Sequence, residues 1–268
     1  MQMPVQTIHS LSDPQLAAYR NLKDKELARD GHRFIAEGEN VVRRLLASST
    51  PVESVLLAER KVSAIAPLCR ENVTIFVASD DLIQQIIGFE FHSGVLACGI
   101  RPPAPALETL IPPSPAPALL TICQQITNAE NLGSLIRISA AFGASAIILG
   151  QRCCDPWFRQ CVRVSMGSIF ALPIFRSTDL LSDLDAIKGH GITCIAAVID
   201  KDAVPLDSIE RISRVGVVFG SEAQGLDPAT IGRCDRRVTI PMRRGTDSLN
   251  VAVAAAVFLY QLTRDRNF

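Results

Sequence analysis

Short apolar runs alternate with segments of helical periodicity along most of the chain, and this alternation predicts an α/β protein. In the second half, helical patterns at 131–142, 179–188 and 248–264 separate the apolar runs. Strands that alternate with helices in this way form a largely parallel sheet covered on both faces. The predicted strands of this half are 119–123, 146–149, 192–198, 215–219 and 238–240.

The first half has the same alternation on a smaller scale. Helix-like segments at 13–29 and 39–47 lie among apolar runs rich in β-branched residues, which predicts a small α/β domain. The predicted strands are 33–36, 52–58, 73–77 and 95–100. In the second half, Gly143 and Gly191 occupy positions expected for helix C-terminal caps, and Ser177 or Thr178 the position of an N-cap.

Prolines divide the chain. At roughly 100 to 200 residues per domain, a length of 268 residues suggests two domains. Seven of the 16 prolines fall between Pro102 and Pro117. Because proline lacks a backbone donor and restricts the preceding residue, this segment is predicted to be a semi-extended spacer. The expected organisation is a domain at 1–101, a linker at 102–117 and a domain at 118–268.

Composition restricts the class of protein. The 27 basic and 27 acidic residues balance, which excludes a polybasic nucleic-acid coat. The N-terminus does not have the pattern of a signal peptide, and the longest apolar run, 251–260, is half of what a membrane helix needs. The eight cysteines are therefore expected to be free thiols in a reducing cytoplasm. No CxxC pair occurs and no histidine lies near Cys153, Cys154 and Cys161, so no metal is expected.

Three loops after predicted strands carry the candidate chemistry, because ligands of parallel sheets bind beyond the carboxyl ends of the strands. They are TNAENLGSLIRISAAFG, VVFGSEAQGL and IPMRRGTDSLNV. Each has a simpler interpretation on its own: an asparagine cap with a solvated Arg137, a glycine turn, and an N-cap at Ser248. The glycines match neither a Rossmann nor a Walker pattern.

Taken together, the three loops resemble the SpoU (TrmH) family of RNA ribose 2'-O-methyltransferases in the SPOUT superfamily. The matching pattern is NxxNxGxxxR, then FGSExxGL, then IPM followed by SLNV, in this order in the last 150 residues. The resemblance extends to GHRFIAEGENVVRRLL and FHSGVLACGI, which look like that family's small L30e-like substrate-binding domain.

The resemblance implies methyl transfer from S-adenosylmethionine to a ribose 2'-hydroxyl of a folded rRNA or tRNA, without a metal. It also implies a SPOUT domain with a parallel sheet and a deep trefoil knot, a homodimer, and an apolar last helix that faces the partner subunit. The implied catalytic residues are Asn131, Arg137, Glu222, Ser248 and Asn250. The implied cofactor-binding residues are Val198, Gly220, Ile240, Met242 and Leu249.

Arginines are the candidate RNA contacts. Recognition of RNA depends on shape, phosphates and 2'-hydroxyls, and each arginine could equally be a solvated surface charge. The candidates are Arg33, Arg43, Arg44, Arg159 and Arg163, with Arg152, Arg243 and Arg244 as further ones. The segment RQCVRVSMG at 159–167 also resembles a family stretch near the target nucleotide.

The sequence departs from the family pattern in the first and third loops. Gln124 stands where an Asp is usual, Ala129 and Glu130 replace Pro-Gly, and Ala252 replaces the last Ser of Ser-Leu-Asn-Val-Ser. These departures motivate an alternative, a knotted RNA-binding or assembly factor without turnover. A third hypothesis is methylation of a substrate other than RNA ribose.

Overall fold

A computed structural model describes residues 5–20, 31–88, 91–210, 212–221, 223–243 and 247–264. It confirms an α/β protein, with one five-stranded and one seven-stranded sheet in the described part. The chain forms two compact units. The first contains Met1–Pro103 and Asp155–Ala171, and the second contains Ala104–Cys154 and Leu172–Phe268. The segment Asp155–Ala171, placed in the second domain from sequence, thus packs in the first unit.

The first unit has a mixed sheet in the order β1-β4-β3-β5-β2, in which β5 is antiparallel to both neighbours. Its strands are β1 Val5–Thr7, β2 Arg33–Glu37, β3 Val52–Ala58, β4 Thr74–Ala78 and β5 Val95–Ile100. Its helices are α1 Glu39–Ala47, α2 Val62–Ile65, α3 Asp80–Ile87 and α6 Arg159–Val164, with 3₁₀ turns at Pro14–Tyr19, Glu59–Lys61, Ala66–Leu68 and Ser168–Phe170. The helix predicted at 13–29 is a 3₁₀ turn as far as Tyr19, and residues 21–30 lie outside the described part.

Aromatic and charged contacts explain why Asp155–Ala171 packs in the first unit. The ring of Phe34 lies 4.7 Å from that of Trp157 and 5.8 Å from that of Phe170, between centroids. Arg101 forms a 2.7 Å ion pair with Asp155. Burial of these rings away from water stabilises the packed segment. None of these pairings could be predicted from local sequence patterns, because the partners are more than 50 residues apart.

The second unit has an entirely parallel sheet in the order β10-β12-β9-β11-β6-β7-β8, which confirms the predicted sheet type. Its strands are β6 Ala118–Cys123, β7 Ala146–Leu149, β8 Ile174–Arg176, β9 Thr193–Ala197, β10 Val204–Pro205, β11 Arg214–Phe219 and β12 Arg236–Thr239. Its helices are α4 Leu107–Leu110, α5 Ala129–Ala141, α7 Leu180–Gly189, α8 Pro228–Arg233 and α9 Val251–Thr263, with a 3₁₀ turn at Leu206–Ser208.

Two local predictions are wrong. The N-cap of α7 is Asp179 rather than Ser177 or Thr178, because the Asp179 carboxylate accepts the Ser182 N–H. The proline segment is not a plain spacer, because it contains α4, whose Leu107 is buried in the core of the second unit. The glycines are as predicted: Gly143 and Gly191 follow α5 and α7 with φ of +69° and +72°.

Arg214 fixes the end of the proline segment to the second unit. Its guanidinium donates to the carbonyls of Pro112, Ala116 and His190, and the residue is only 8% exposed. Two of these charge-assisted bonds satisfy carbonyls of the proline-rich segment, and the third satisfies the carbonyl of His190, which follows α7. No helix among the described residues is long and apolar enough to cross a membrane.

Candidate functional site

The site lies at the edge of the second sheet where the parallel strands β9, β11 and β12 end. The loops after these strands and the first turns of α9 enclose a cavity of about 640 Å³. This volume is in the range of small-molecule and cofactor sites. All five residues that the sequence resemblance assigned to the cofactor line it: Val198, Gly220, Ile240, Met242 and Leu249, together with Ser248.

The loop after β11 folds back on its own backbone. Ser221 and Gly225 exchange two backbone hydrogen bonds of 3.1 and 2.9 Å, and Gly225 has a φ of +67°. A Cβ on Gly220 would lie 2.2 Å from the carbonyl carbon of Gly225. Only glycine fits at position 220, so the backbone itself forms this wall of the cavity.

Gln124, which departs from the family pattern, holds the far end of the same loop. Its side-chain oxygen accepts the Asp227 N–H at 3.1 Å, and its NH₂ group donates to the Asp227 carboxylate and to Thr230 Oγ1. Asp227 is the N-cap of α8. Its hydrogen bonds, first to the Thr230 N–H and then to the Thr230 and Gln124 side chains, lower the pKa of its carboxyl group. Gln124 therefore stabilises this loop through its own hydrogen bonds, although the residue departs from the family pattern.

The start of α9 joins the first and third loops. Its N-cap is Asn250, whose oxygen accepts the N–H groups of Ala252 and Val253, so the N-cap interpretation of Ser248 is wrong. The Asn250 NH₂ group donates to the Asn131 side-chain oxygen at 2.9 Å. Ala252 is 6% exposed in the first turn of the helix. The small methyl group of Ala252 fits this buried first turn, so the alanine that departs from the family pattern contributes to packing there.

Of the two charged residues assigned to catalysis, Arg137 and Glu222, only Arg137 lies in the described part of the chain. Arg137 lies on α5, two turns from its start, with an exposed side chain that does not line the cavity. Asn131 also lies outside the cavity lining but in contact with Asn250. Glu222 lies outside the described residues, as does Arg244. The structure thus brings Asn131 to Asn250 at the start of α9, where Ser248 lines the cavity, and leaves Arg137 exposed to solvent on α5.

Charged residues on the cavity wall were missed from sequence. Asp200 follows β9 and Arg237 lies in β12, and Arg237 Nη1 donates to Asp200 Oδ2 at 2.8 Å. Asp247 also lines the cavity. Adjacent parallel strands bring Asp200 and Arg237 together from 37 positions apart. A signal was present, since a charged residue directly after a buried strand lies at the ligand edge of a parallel sheet.

Most of the predicted RNA-binding arginines contact protein groups. Arg33 pairs with Glu53 at 2.7 Å and Arg43 with Glu39 at 2.8 Å. Arg44 donates to the Met166 carbonyl, and Arg159 pairs with Glu37. The Arg159 side chain is 22% exposed, against 44% for Arg33, so it is the less accessible of these two. Arg163 is exposed on α6, and Arg152 and Arg243 are exposed in the second unit.

The acidic, histidine and cysteine side chains form no candidate metal centre in the described residues: no three or more of them are grouped to hold an ion. All eight cysteines fall in the described part and carry thiols. Burial raises the pKa of the Cys194 and Cys234 thiols to about 12, and that of Cys69 to about 11. These thiols are therefore protonated at neutral pH and poor ligands or nucleophiles.

Known proteins match this chain over nearly its full length. The model of the SpoU rRNA methylase family matches residues 118–260. An uncharacterised tRNA/rRNA methyltransferase of Mycobacterium bovis is 34% identical, covering 98% of this chain and 93% of its own. The 23S rRNA (guanosine-2'-O-)-methyltransferase RlmB of Acinetobacter baylyi is 32% identical over 73% of this chain and 80% of its own. An AdoMet-bound rRNA methyltransferase structure from Sinorhizobium meliloti has the same fold, with a TM-score of 0.85, 24% identity and coverage of 98% and 99%.

Proposed function

The chain belongs to the SpoU rRNA methylase family, and on that premise we propose that it methylates a ribose 2'-hydroxyl of a structured RNA with S-adenosylmethionine. The main support is that the second and third matching loops, together with the loop after β9, line a single cavity of about 640 Å³. The Asn250–Asn131 hydrogen bond joins the start of α9, beside this cavity, to the helix that carries Arg137. The name of the Acinetobacter relative, a guanosine-2'-O-methyltransferase of 23S rRNA, supports ribose as the acceptor.

The cavity fits the cofactor by its chemistry. Gly220 and Gly225 line the cavity without side chains, so backbone peptide groups there can bind an adenine edge directly. Apolar side chains such as Phe219, Ile240 and Phe258 line the cavity and suit the flat adenine ring. When bound, S-adenosylmethionine would supply the methyl group of its sulfonium: the ribose oxygen would bond to the methyl carbon, the carbon–sulfur bond would break to leave a neutral thioether, and the hydroxyl proton would pass to water.

The chain's own residues act mainly by positioning. Methyl transfer needs the ribose oxygen aligned with the methyl carbon, and alignment supplies much of the acceleration of such reactions. Asn131 and Asn250 are held by their mutual bond and by their positions at helix starts. Together with Ser248 they offer hydrogen-bonding groups for the ribose and its hydroxyl. We assign Glu222 to the same crevice by the family resemblance alone.

Arg137 is proposed to bind the phosphate next to the target ribose and to stabilise negative charge that develops on the ribose oxygen. A guanidinium stays protonated at neutral pH, so a donor role suits it better than that of a base. Its exposed position on α5 leaves the guanidinium open to a large substrate.

RNA recognition is proposed for the first unit, as an L30e-like domain. Arg33, Arg43 and Arg44 lie on or next to β2 and α1, and Arg159 and Arg163 lie on α6 in the same unit. Exposed ion pairs contribute little free energy, so a phosphate can replace the carboxylate partner of Arg33 or Arg43. The zero net charge of the chain then favours shape-specific over nonspecific binding.

A trefoil knot and a homodimer complete the proposal, with the enzyme in the cytoplasm beside its RNA. In support of the knot, β11 lies between β9 and β6 although it follows both in the chain. In support of the dimer, α9 exposes large apolar side chains at a spacing that places them along one helical face. They are Val253, Val257 and Tyr260, which are 50%, 40% and 59% exposed.

Cofactor titration followed by methyl transfer tests the proposal. We expect calorimetry to show binding of S-adenosylmethionine to the purified full chain, and tritium from the labelled cofactor to enter RNA isolated from a strain that lacks the gene. Mass spectrometry of the digested RNA should then locate the label on a ribose. RNA binding without incorporation would favour the assembly factor, label on a base would favour methylation elsewhere, and no cofactor binding would exclude both methyltransferase hypotheses.

A further inference from the structure

The charged side chains on the wall of the cofactor cavity have a distinctive composition. Among the described residues that line it, the ionised groups are the carboxylates of Asp200 and Asp247 and the guanidinium of Arg237. The other described lining residues are apolar or carry small polar groups. A cavity of this kind has two negative charges and one positive charge to offer a ligand.

Asp200 and Arg237 form one unit. Arg237 Nη1 donates to Asp200 Oδ2 at 2.8 Å, and Asp200 Oδ1 accepts the Asp202 N–H at 2.9 Å, which fixes the carboxylate at the end of β9. The side chains are 51% and 29% exposed, so both remain open to a ligand. A guanidinium has five N–H donors and each carboxylate oxygen has two lone pairs. The pair therefore keeps donors and acceptors for further partners.

We propose that this pair recognises the amino-acid end of S-adenosylmethionine, with Arg237 binding its carboxylate and Asp200 binding its ammonium group. The inference rests on the proposed function, since it requires that the cavity hold this cofactor. The cofactor carries two cations, the ammonium and the sulfonium, and one anion. Two carboxylates and one guanidinium on the wall complement these three charges. Its adenosine end is neutral, so the charged groups on the wall have their counterparts at the amino-acid and sulfonium end.

A bidentate geometry is available to the ligand. Placed side by side, a guanidinium and a carboxylate present a donor surface and an acceptor surface next to each other. The ammonium and carboxylate of an α-amino acid have the same adjacent arrangement with opposite charges. Charge-assisted hydrogen bonds of this type are stronger than neutral ones, and they reward a ligand that carries both groups. Asp200 and Arg237 are therefore specificity-determining residues for the cofactor.

The test compares S-adenosylmethionine with its decarboxylated analogue, which keeps the ammonium and the sulfonium. Calorimetric titration of the wild-type full chain should give about 10-fold weaker binding of the analogue, the loss expected for one partly exposed charge-assisted contact. Arg237→Gln should weaken S-adenosylmethionine by about the same factor and leave the analogue unchanged. The ratio of the two dissociation constants would then fall to about one. Arg237→Lys, which keeps the charge, should give an intermediate ratio.

Two further variants separate this role from a general effect of charge. Asp200→Asn should weaken both ligands to the same extent, because both carry the ammonium group. Arg236→Gln removes the neighbouring exposed arginine of β12, which does not line the cavity, and should leave both constants unchanged. Because exposed ion pairs contribute little to folding, all four variants should unfold within a few degrees of the wild type.

The outcomes are distinguishable. If the wild type does not bind S-adenosylmethionine, the proposed function itself fails. If the wild type binds it and Arg237→Gln keeps the full preference for the carboxylate, the pair is a structural contact only and this inference fails by itself. Loss of the preference in Arg237→Gln but not in Arg236→Gln supports it, and no turnover by the enzyme is needed for this readout.

Discussion

Two regions of the molecule are held in place by contacts of opposite kinds, close backbone packing in one and exposed ion pairs in the other. The loop from Gly220 to Asp227 is held by backbone contacts so close that one added carbon would lie 2.2 Å from a peptide carbon. The arginines of the first unit lie in contacts such as Arg33–Glu53, in which the two side chains are 44% and 41% exposed. Close packing restricts the loop to a single conformation, whereas the exposed arginines can exchange their carboxylate partners for other anions.

Single substitutions should have larger effects in the packed loop than among the exposed arginines. A site built from packed backbone fails when one position changes, because close-packed groups cannot absorb extra volume. A surface of exchangeable ion pairs loses only a fraction of its binding with each charge. The expected effects therefore decrease from the catalytic crevice, through the cofactor loop, to the RNA-binding surface.

The largest effect is expected for Arg137→Ala. If Arg137 stabilises charge on the ribose oxygen, its loss should lower kcat by about 100-fold to 1,000-fold, as removal of an electrostatic stabiliser does. Since the side chain does not line the cavity, the dissociation constant of S-adenosylmethionine should stay within about twofold. Single-turnover tritium transfer and calorimetry measure the two quantities. Arg137→Lys, which keeps the charge, is the matched variant, and equal rates for wild type and Arg137→Ala would remove Arg137 from the mechanism.

Gly220→Ala should come next, with binding of S-adenosylmethionine weakened by about 10-fold to 100-fold. The added methyl must displace the Gly225 backbone, and overpacking of this kind costs about 1–3 kcal/mol. Calorimetry measures the affinity and circular dichroism the thermal midpoint. Gly232→Ala is the matched control, because a Cβ there, in α8, meets no atom within 4 Å. An unchanged affinity in Gly220→Ala would show that the loop can open without cost.

Much of the second unit follows from its sequence. The five predicted strands correspond to β6, β7, β9, β11 and β12, and the three predicted helices to α5, α7 and α9, whereas β8, β10 and α8 were not predicted. The loops after β9, β11 and β12 meet because parallel strands end at one edge. Local choices were less determined. The sequence Ser-Leu-Asn offers two N-cap residues two positions apart, Ser248 and Asn250, and the asparagine that serves as the cap also donates to Asn131.

Contacts between distant residues could not be predicted. Phe34 lies between Trp157 and Phe170, more than 120 positions away, and nothing in the pattern of RQCVRVSMG assigns it to the first unit. The Asp200–Arg237 pair depends on β12 lying beside β9. Likewise, proline spacing alone predicted an extended linker because the burial of Leu107 depends on the finished core.

Substitutions of Gln124 should have effects of intermediate size, smaller than those of Gly220→Ala and larger than those at the exposed arginines. Gln124→Ala removes the hydrogen bonds to Asp227 and Thr230, each worth about 1 kcal/mol net, and should weaken S-adenosylmethionine by about 5-fold to 20-fold. Gln124→Glu places a second carboxylate against Asp227, whose pKa lies below its usual value. Repulsion between the two should make this variant weaker at pH 8 than at pH 5.5, where a glutamate with a raised pKa begins to protonate.

Calorimetry at the two pH values measures the change, with Gln125→Ala as the control, since the neighbouring side chain makes none of these bonds. A Gln124→Ala variant with wild-type affinity would mean that the loop holds its position without this side chain. A Gln124→Glu variant without pH dependence beyond that of the wild type would contradict the proximity of the two carboxylates.

The smallest effects on RNA affinity should come from the exposed pair Arg33–Glu53. Whether affinity rises or falls in each variant shows whether Arg33 can exchange its carboxylate partner for a phosphate. If Arg33 leaves Glu53 to bind a phosphate, Arg33→Gln should weaken RNA binding about 3-fold and lower the slope of log affinity against log salt by about one. Glu53→Gln should instead strengthen binding about 2-fold, because the arginine no longer has to leave a carboxylate. Glu59→Gln, which removes one negative charge from a residue without an ion pair among the described residues, corrects for net charge. Filter binding at several salt concentrations measures all three, and weaker binding by Glu53→Gln would show that the ion pair holds Arg33 in its RNA-binding position instead of competing for it.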